Sequence, residues 1–191
     1  MEETYAQGQT FDRIDYKLTP LPKGEYEGCR FTGCDFSGAD LSGVKFIDCV
    51  FAGCNLSLAK LTKTLLRDIR FKDCKMLGLQ FYTCDAFGLA LGFEGCVLDN
   101  ASFYKARLKK TVFKNTRLRE VDFTDADLTG AGFDDCDLKS AAFDNTILEK
   151  ADFRTSHNYS IDGERNRIKK ALFSWPGVAG LLSKYDIDIS G

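Results

Sequence analysis

Cys29-Arg30-Phe31-Thr32-Gly33, Cys34-Asp35-Phe36-Ser37-Gly38 and Ala39-Asp40-Leu41-Ser42-Gly43 follow one another without a break. Each block of five residues has a large apolar residue at its centre and a small residue two places before it. Polar or small residues fill most of the rest. A period of five fits neither a strand, which repeats every two residues, nor an α-helix, which repeats every 3.6. It fits a chain that turns a corner every five residues, with the central side chain and the small one both directed inward. Outward from this stretch the centres are Tyr26, Phe31, Phe36, Leu41, Phe46, Phe51, Leu56, Leu61, Leu66, Phe71, Met76 and Phe81. Cys84 to Ala90 break the phase, and the pattern then resumes, with Phe and Leu alternating from Phe93 to Phe153.

Four segments make one square coil. Phe31, Phe51, Phe71, Phe93, Phe113, Phe133 and Phe153 are twenty residues apart, except for a gap of twenty-two between Phe71 and Phe93. A long fixed period that keeps one side chain marks a solenoid whose coils stack on one another. Strands of adjacent coils lie about 4.7–4.9 Å apart, and stacked aromatic rings prefer centroids about 4.5–7 Å apart. The two extra residues predict a bulge within 82–92 that the coil absorbs without losing register. Residues 24–155 then form the regular solenoid, 1–23 an N-terminal cap and 156–191 a C-terminal cap and dimerisation segment.

No apolar run in the 191 residues approaches the roughly 20 needed to span a membrane. The start, Met1-Glu2-Glu3-Thr4-Tyr5, has neither the basic nor the apolar stretch of a signal peptide. A soluble, cytoplasmic protein is expected. The eight cysteines are Cys29, Cys34, Cys49, Cys54, Cys74, Cys84, Cys96 and Cys136. All fall two places before a centre, counting Ala86 as the centre after Cys84. Small buried residues in reduced form are expected there, with no metal and no other cofactor.

A catalytic constellation is not apparent. His157 is the only histidine, which excludes His-based triads and multi-histidine metal sites. An enzyme is not expected. The formal net charge of −2 hides strong local imbalance. Glu120 to Asp152 contains ten acids and two bases, a net of −8. By the strand spacing this belt is locally at least as charge-dense as duplex DNA, which carries one charge per about 1.7 Å of axis. Lys105, Arg107, Lys109, Lys110, Lys114, Arg117 and Arg119 form a neighbouring basic ring with no acid among them. Opposite charges in adjacent coils are placed to pair. Direct nucleic-acid binding is not expected, because the aromatic residues are assigned to the core.

The last stretch leaves the repeat. Ser174-Trp175-Pro176 reads as a helix start, with Ser as N-cap and Pro in the first turn. Val178, Leu181, Leu182 and Tyr185 share one helical face, and Ile187 and Ile189 alternate like a short strand. A lid over the last coil is expected, with Val178, Leu181, Leu182, Tyr185, Ile187 and Ile189 as the candidate dimer interface.

The pattern A-(D/N)-L-x-x, closely copied by Ala39-Asp40-Leu41, Ala126-Asp127-Leu128 and Ala151-Asp152-Phe153, resembles the pentapeptide-repeat family. The resemblance implies an all-β fold, a right-handed quadrilateral β-helix, here with a C-terminal α-helical cap. Ile161 to Ile168, Pro176 and Ala179-Gly180-Leu181 look like the C-terminal end of the Qnr-type and microcin-immunity members, in which the final helix joins two solenoids end to end as a homodimer. Those relatives act as DNA mimics that bind DNA gyrase or a related type II topoisomerase, such as topoisomerase IV, and protect it from a quinolone or a toxin. The resemblance implies the same partners here, with Asp122, Asp125, Asp127, Asp134, Asp135 and Asp137 as the binding belt. The alternative reading is a protein–protein interaction scaffold. Its two-sign surface suits a complementary protein partner.

Overall fold

The computed structural model describes residues 4–188. Its described strands, in chain order, are β1 (Thr4–Gln7), β2 (Thr10–Asp12), β3 (Gly24–Glu27), β4 (Arg30–Thr32), β5 (Lys45–Ile47), β6 (Val50–Ala52), β7 (Leu65–Arg67), β8 (Ile69–Lys72), β9 (Leu91–Glu94), β10 (Val112–Lys114) and β11 (Gly132–Asp134). All pair in parallel with the equivalent strand of the next coil. One sheet has four strands in the order β1-β3-β5-β7, and the other has seven in the order β11-β10-β9-β8-β6-β4-β2. Isolated parallel bridges continue the remaining faces, as in Gln80 to Ser102 to Asp122 to Ala142 and in Val97 to Arg117 to Asp137 to His157. The architecture is an all-β parallel solenoid.

The Phe ladder runs up the centre of the seven-stranded sheet. Phe11, Phe31, Phe51, Phe71, Phe93, Phe113 and Phe133 are direct register partners. Their rings stack 4.8 Å apart from Phe11 to Phe31 and 5.0 Å apart from Phe113 to Phe133. Phe153 and Phe173 extend the stack at 4.6 and 5.5 Å. Stacked order therefore reaches past the expected limits of 24 and 155 at both ends. β1 is in register with β3, so residues 4–23 form a coil of the rod. Bridges from Ile147 to Arg167 and from Asp152 to Leu172 carry the coil into the C-terminal segment.

The cysteines do more than fill space. Cys54, Cys74, Cys96 and Cys136 each donate their thiol to the carbonyl of the ladder Phe one coil below, at 3.3–3.4 Å. Thr64, Thr146 and Asn166 make the same bond from equivalent positions, to Leu41, Phe123 and Phe143. The small inward residue is thus a latch between coils, and a thiol is its weakest version. Seven of the eight free cysteines are buried, and Cys84 is half-buried.

Corners need a left-handed residue. Gly28, Gly33 and Gly38 supply it at no steric cost, but Leu58 stands at the same kind of corner with φ +58° and is 69 % exposed. Left-handed backbone costs a non-glycine residue roughly 1–2 kcal/mol, offset in part by the greater chain entropy that glycine loses on folding. Leu58→Gly should raise stability by about 0.5 kcal/mol or more. A urea melt in which it is destabilised by that amount would show that Leu58 packs usefully on Gly78, the glycine of the next corner.

The C-terminal α-helix is not formed. Pro176–Leu181 and Ser183–Tyr185 are short 3-10 turns. Ser174 does cap, accepting the Gly177 N–H at 3.2 Å. The helix fails further on. Gly177 and Gly180 each weaken it by about 1 kcal/mol relative to Ala. The Gly180 carbonyl also accepts the Ile161 N–H at 2.9 Å, which ties that turn to the coil backbone instead of an α-helical ladder. A Cβ at Gly180 would lie 2.5 Å from the Tyr159 carbonyl oxygen, so this approach requires glycine. Lys184 clasps the segment to the last coil through Asp162 and Glu164, both at 2.8 Å.

Candidate functional site

The six candidate belt acids all lie in one coil, yet they do not share a face. Asp122 is in the ladder with Ser102 and Ala142, Asp127 in that with Arg107 and Ile147, and Asp137 in that with Arg117 and His157. Asp134 is in β11 of the seven-stranded sheet. Asp125 and Asp135 are left-handed corner residues. The acids therefore form a ring around the rod, and a partner approaching from one side meets only part of it.

Pairing divides the ring further. Asp127 receives Lys109 at 3.2 Å and both the amide and the hydroxyl of Thr129. Partial burial pushes its carboxyl up, but Thr129 and Lys109 outweigh this and leave it below the usual carboxylate range. Asp137 is buried and is held by Arg119, the Lys139 amide and the Asn158 side chain. Burial again opposes ionisation there, and Asn158 and Arg119 bring the net shift down. Above the ring, Asp144 and Glu149 are neutralised by Arg165 and Arg167, each at 2.7 Å. Among the described residues Asp122, Asp125, Asp134 and Asp135 have no cation within 4.0 Å. Asp125 accepts only the Asn145 amide, at 2.6 Å, and Asp134 the Thr155 hydroxyl, at 3.0 Å. The acidic surface left for a partner is thus two pairs on different faces.

The basic ring is divided in the same way. Lys109 and Arg119 are spent on the acids of the next coil, and Arg117 and Lys114 on Asp99 and Glu94 of the coil below. Lys105, Arg107 and Lys110 remain without an acid within 4.0 Å among the described residues. Exposed pairs of this kind contribute about 0–1 kcal/mol each. Their main effect is to remove charge from the surface.

At the C-terminal end the candidate interface residues separate. Leu181 packs onto the core and Val178 and Leu182 are half-buried, whereas Tyr185 and Ile187 are more than half exposed. Ile189 lies outside the described residues. Sequence reasoning missed two residues here. Trp175, the only tryptophan, is 90 % exposed, and Leu172 is 44 % exposed. The lone Trp at a presumed helix start was the available signal. Among the described residues no group of three or more His, Cys, Asp or Glu is placed to hold a metal, and no helix is long and apolar enough to cross a membrane.

The pentapeptide repeat region, as a family pattern, matches residues 25–92 and 90–160. No curated protein matches in sequence. Among solved structures the whole chain aligns with the whole of a trypsin-treated form of QnrB1, a plasmid-mediated fluoroquinolone resistance protein, at a TM-score of 0.63 and 19 % identity. Full-length QnrB1 aligns at 0.55 and 19 % identity over 96 % of this chain and 100 % of its own. HetL, a pentapeptide-repeat protein involved in heterocyst differentiation regulation from the cyanobacterium Nostoc, aligns at 0.51 and 17 % identity over 89 % of this chain and 85 % of its own. At these identities the likeness is one of fold. Together with the match over most of the sequence, it establishes that the chain belongs to the pentapeptide-repeat family.

Proposed function

We propose that this protein is a non-catalytic binding rod that pairs end to end through its C-terminal segment. In this reading it presents the free carboxylates of one coil to a type II topoisomerase, DNA gyrase or topoisomerase IV, in place of duplex DNA. The observation that carries it is the set Asp122, Asp125, Asp134 and Asp135, unpaired on a rigid coil near an end that exposes Trp175, Leu172, Tyr185 and Ile187. The fold likeness of the whole chain to QnrB1 supports the choice of partner. Pairing at the C-terminal end would bring two such coils close to the centre of a doubled rod.

The test is DNA supercoiling by gyrase in the presence of a fluoroquinolone, with and without this protein. Protection is expected, together with inhibition at higher concentration. Asp122→Asn, Asp125→Asn, Asp134→Asn and Asp135→Asn combined should abolish both effects and leave the fold intact by circular dichroism. Absence of gyrase binding at micromolar protein would sink the proposal.

A second reading, a scaffold for another protein, is favoured by one observation. Acids stand on all four faces, while the bases Lys105, Arg107 and Lys110 stay free beside them. A two-sign surface suits a partner with complementary patches. Charge reversal at the free bases that leaves recovery of a protein partner from lysate unchanged would count against it.

A further inference from the structure

The two-residue insertion does more than restore register. It ends the four-stranded sheet at β7. A 3-10 turn, Phe81–Thr83, leads from the preceding face into an irregular turn over residues 84–90, which stands where the next strand would stack. That turn is pinned to the coil below by the Asp85 N–H to Thr64 and the Ala90 N–H to Leu66. The Asp85 carboxylate accepts the Phe87 N–H at 2.9 Å and closes the loop on itself. The result is an anchored turn that holds Phe87 out, 76 % exposed, with Tyr82 beside it at 51 %. The expectation that the aromatics belong to the core therefore fails here, within the regular rod, as it does at Tyr5, Trp175 and Tyr185 near the two ends.

Between the turn and the next coil lies a crevice of about 600 Å³. Phe81, Ala86, Phe87, Leu89, Tyr104 and Ala106 give it apolar walls, and Lys105 and Arg107 stand at its margin. Neither base has a carboxylate within 4.0 Å among the described residues, and neither do Lys60 and Lys63 of the preceding coil. The nearby carboxylates are hydrogen-bonded elsewhere, Asp85 to the Phe87 N–H and Asp125 to the Asn145 amide, and both keep their charge without coming within 4.0 Å of these bases.

We propose that this crevice is a docking site for an acidic protein segment that presents one large apolar side chain. The apolar walls accept the side chain, and the unpaired bases receive the flanking carboxylates. An exposed aromatic held by an anchored turn beside an open apolar crevice, with cations around it, has the composition of an interface anchor. A single-stranded nucleic acid fits less well, because it needs open, roughly parallel ring faces on which to stack. Here Tyr82 and Tyr104 meet edge to face at 85°, and the Lys105 ammonium sits 4.8 Å over the Tyr104 ring.

The test is fluorescence anisotropy at low salt with three labelled probes: a random poly(Glu,Tyr) copolymer, poly(Glu) and a short oligo(dT). Poly(Glu,Tyr) should bind about tenfold or more tighter than poly(Glu), the scale set by burying one large apolar side chain. Lys105→Glu with Arg107→Glu should abolish that binding, and Phe87→Ser should bring poly(Glu,Tyr) down to the poly(Glu) level. Asp134→Asn with Asp135→Asn, on another face, should leave it unchanged. Equal binding of the two polypeptides would reduce the site to bulk electrostatics and overturn the proposal. Tighter binding of oligo(dT) would overturn it in favour of nucleic acid. The surface variants are checked by thermal melts, so a folding defect is not mistaken for lost binding.

Discussion

Phe113→Ala should lower the stability of the rod by about 3–5 kcal/mol, the range for truncating a fully buried aromatic residue. Phe113 is fully buried. Its ring stacks on Phe93 and Phe133 at 5.0 Å on each side, within 5° of parallel. It also meets Phe103 and Phe123 edge to face at 6.0 Å. Truncation therefore opens a cavity that two coils share, and in a stack each coil is stabilised only by its neighbours. Set against a typical total of about 5–15 kcal/mol, the loss is large. Phe173→Ala provides the internal control, because that ring is half-buried and stacks on one side only. It should cost much less. Urea denaturation of both variants measures the difference. A loss under about 1 kcal/mol for Phe113→Ala would contradict an inward, load-sharing ladder.

The ladder was legible in the sequence because each coil repeats the side chain that it buries. Phe11 lies twenty residues before Phe31 and its rung could be read from that spacing, although Gln9 and Thr10 stand where the repeat has its small residue and acid. Phe173 keeps Ala171 two places before it but has Leu172 in place of the acid. The corners were only half legible. Gly33 and Gly38 announce left-handed backbone, but Leu58 and Lys63 adopt it without any propensity for it, because the stacked coils on either side impose the turn. The terminal helix misled for a comparable reason. Its N-cap and apolar spacing are real, yet the Gly180 carbonyl is taken by Ile161, a contact between distant parts of the chain that no local pattern encodes.

The charged surface carried a readable signal that composition concealed. Lys109 and Asp127, Arg119 and Asp137, Arg117 and Asp99, and Arg167 and Glu149 are all eighteen residues apart. That offset joins the outward position after one centre to the outward position before the next centre above it. Counting acids along Glu120 to Asp152 gives a dense belt. Pairing at an offset of eighteen removes Asp127 and Asp137 from it, and the four-sided path of the chain spreads the rest around the rod. The crevice beside Phe87 was invisible for another reason: a gap of two residues states that something is inserted and says nothing about its shape.

The same interactions set the second large effect, which is acid sensitivity. Unfolding free energy should be nearly constant from pH 7 to about 5 and fall steeply below about 4, as native carboxylates are protonated. The carboxyls concerned have folded values below their unfolded ones, so the stability they add is present above about pH 4 and is lost as pH falls through the folded value. Asp35 is the clearest. Partial burial pushes it up, but the Lys17 ammonium at 2.6 Å and the hydroxyl and amide of Ser37 draw it down to about 2. With a third of its side chain exposed, its share is discounted to about 1 kcal/mol. Asp40, Asp127, Asp137 and Asp152 are shifted in the same direction by local hydrogen bonds and neighbouring cations. Urea melts at pH 6, 4, 3 and 2.5 would measure the slope. Asp137→Asn separates this effect from general charge repulsion at low pH, because it removes one paired carboxylate and keeps its shape. The variant should be less stable at pH 6 and lose less stability between pH 4 and 2.5. An unchanged melting midpoint across that range in the parent protein would show that the inter-coil pairs contribute nothing.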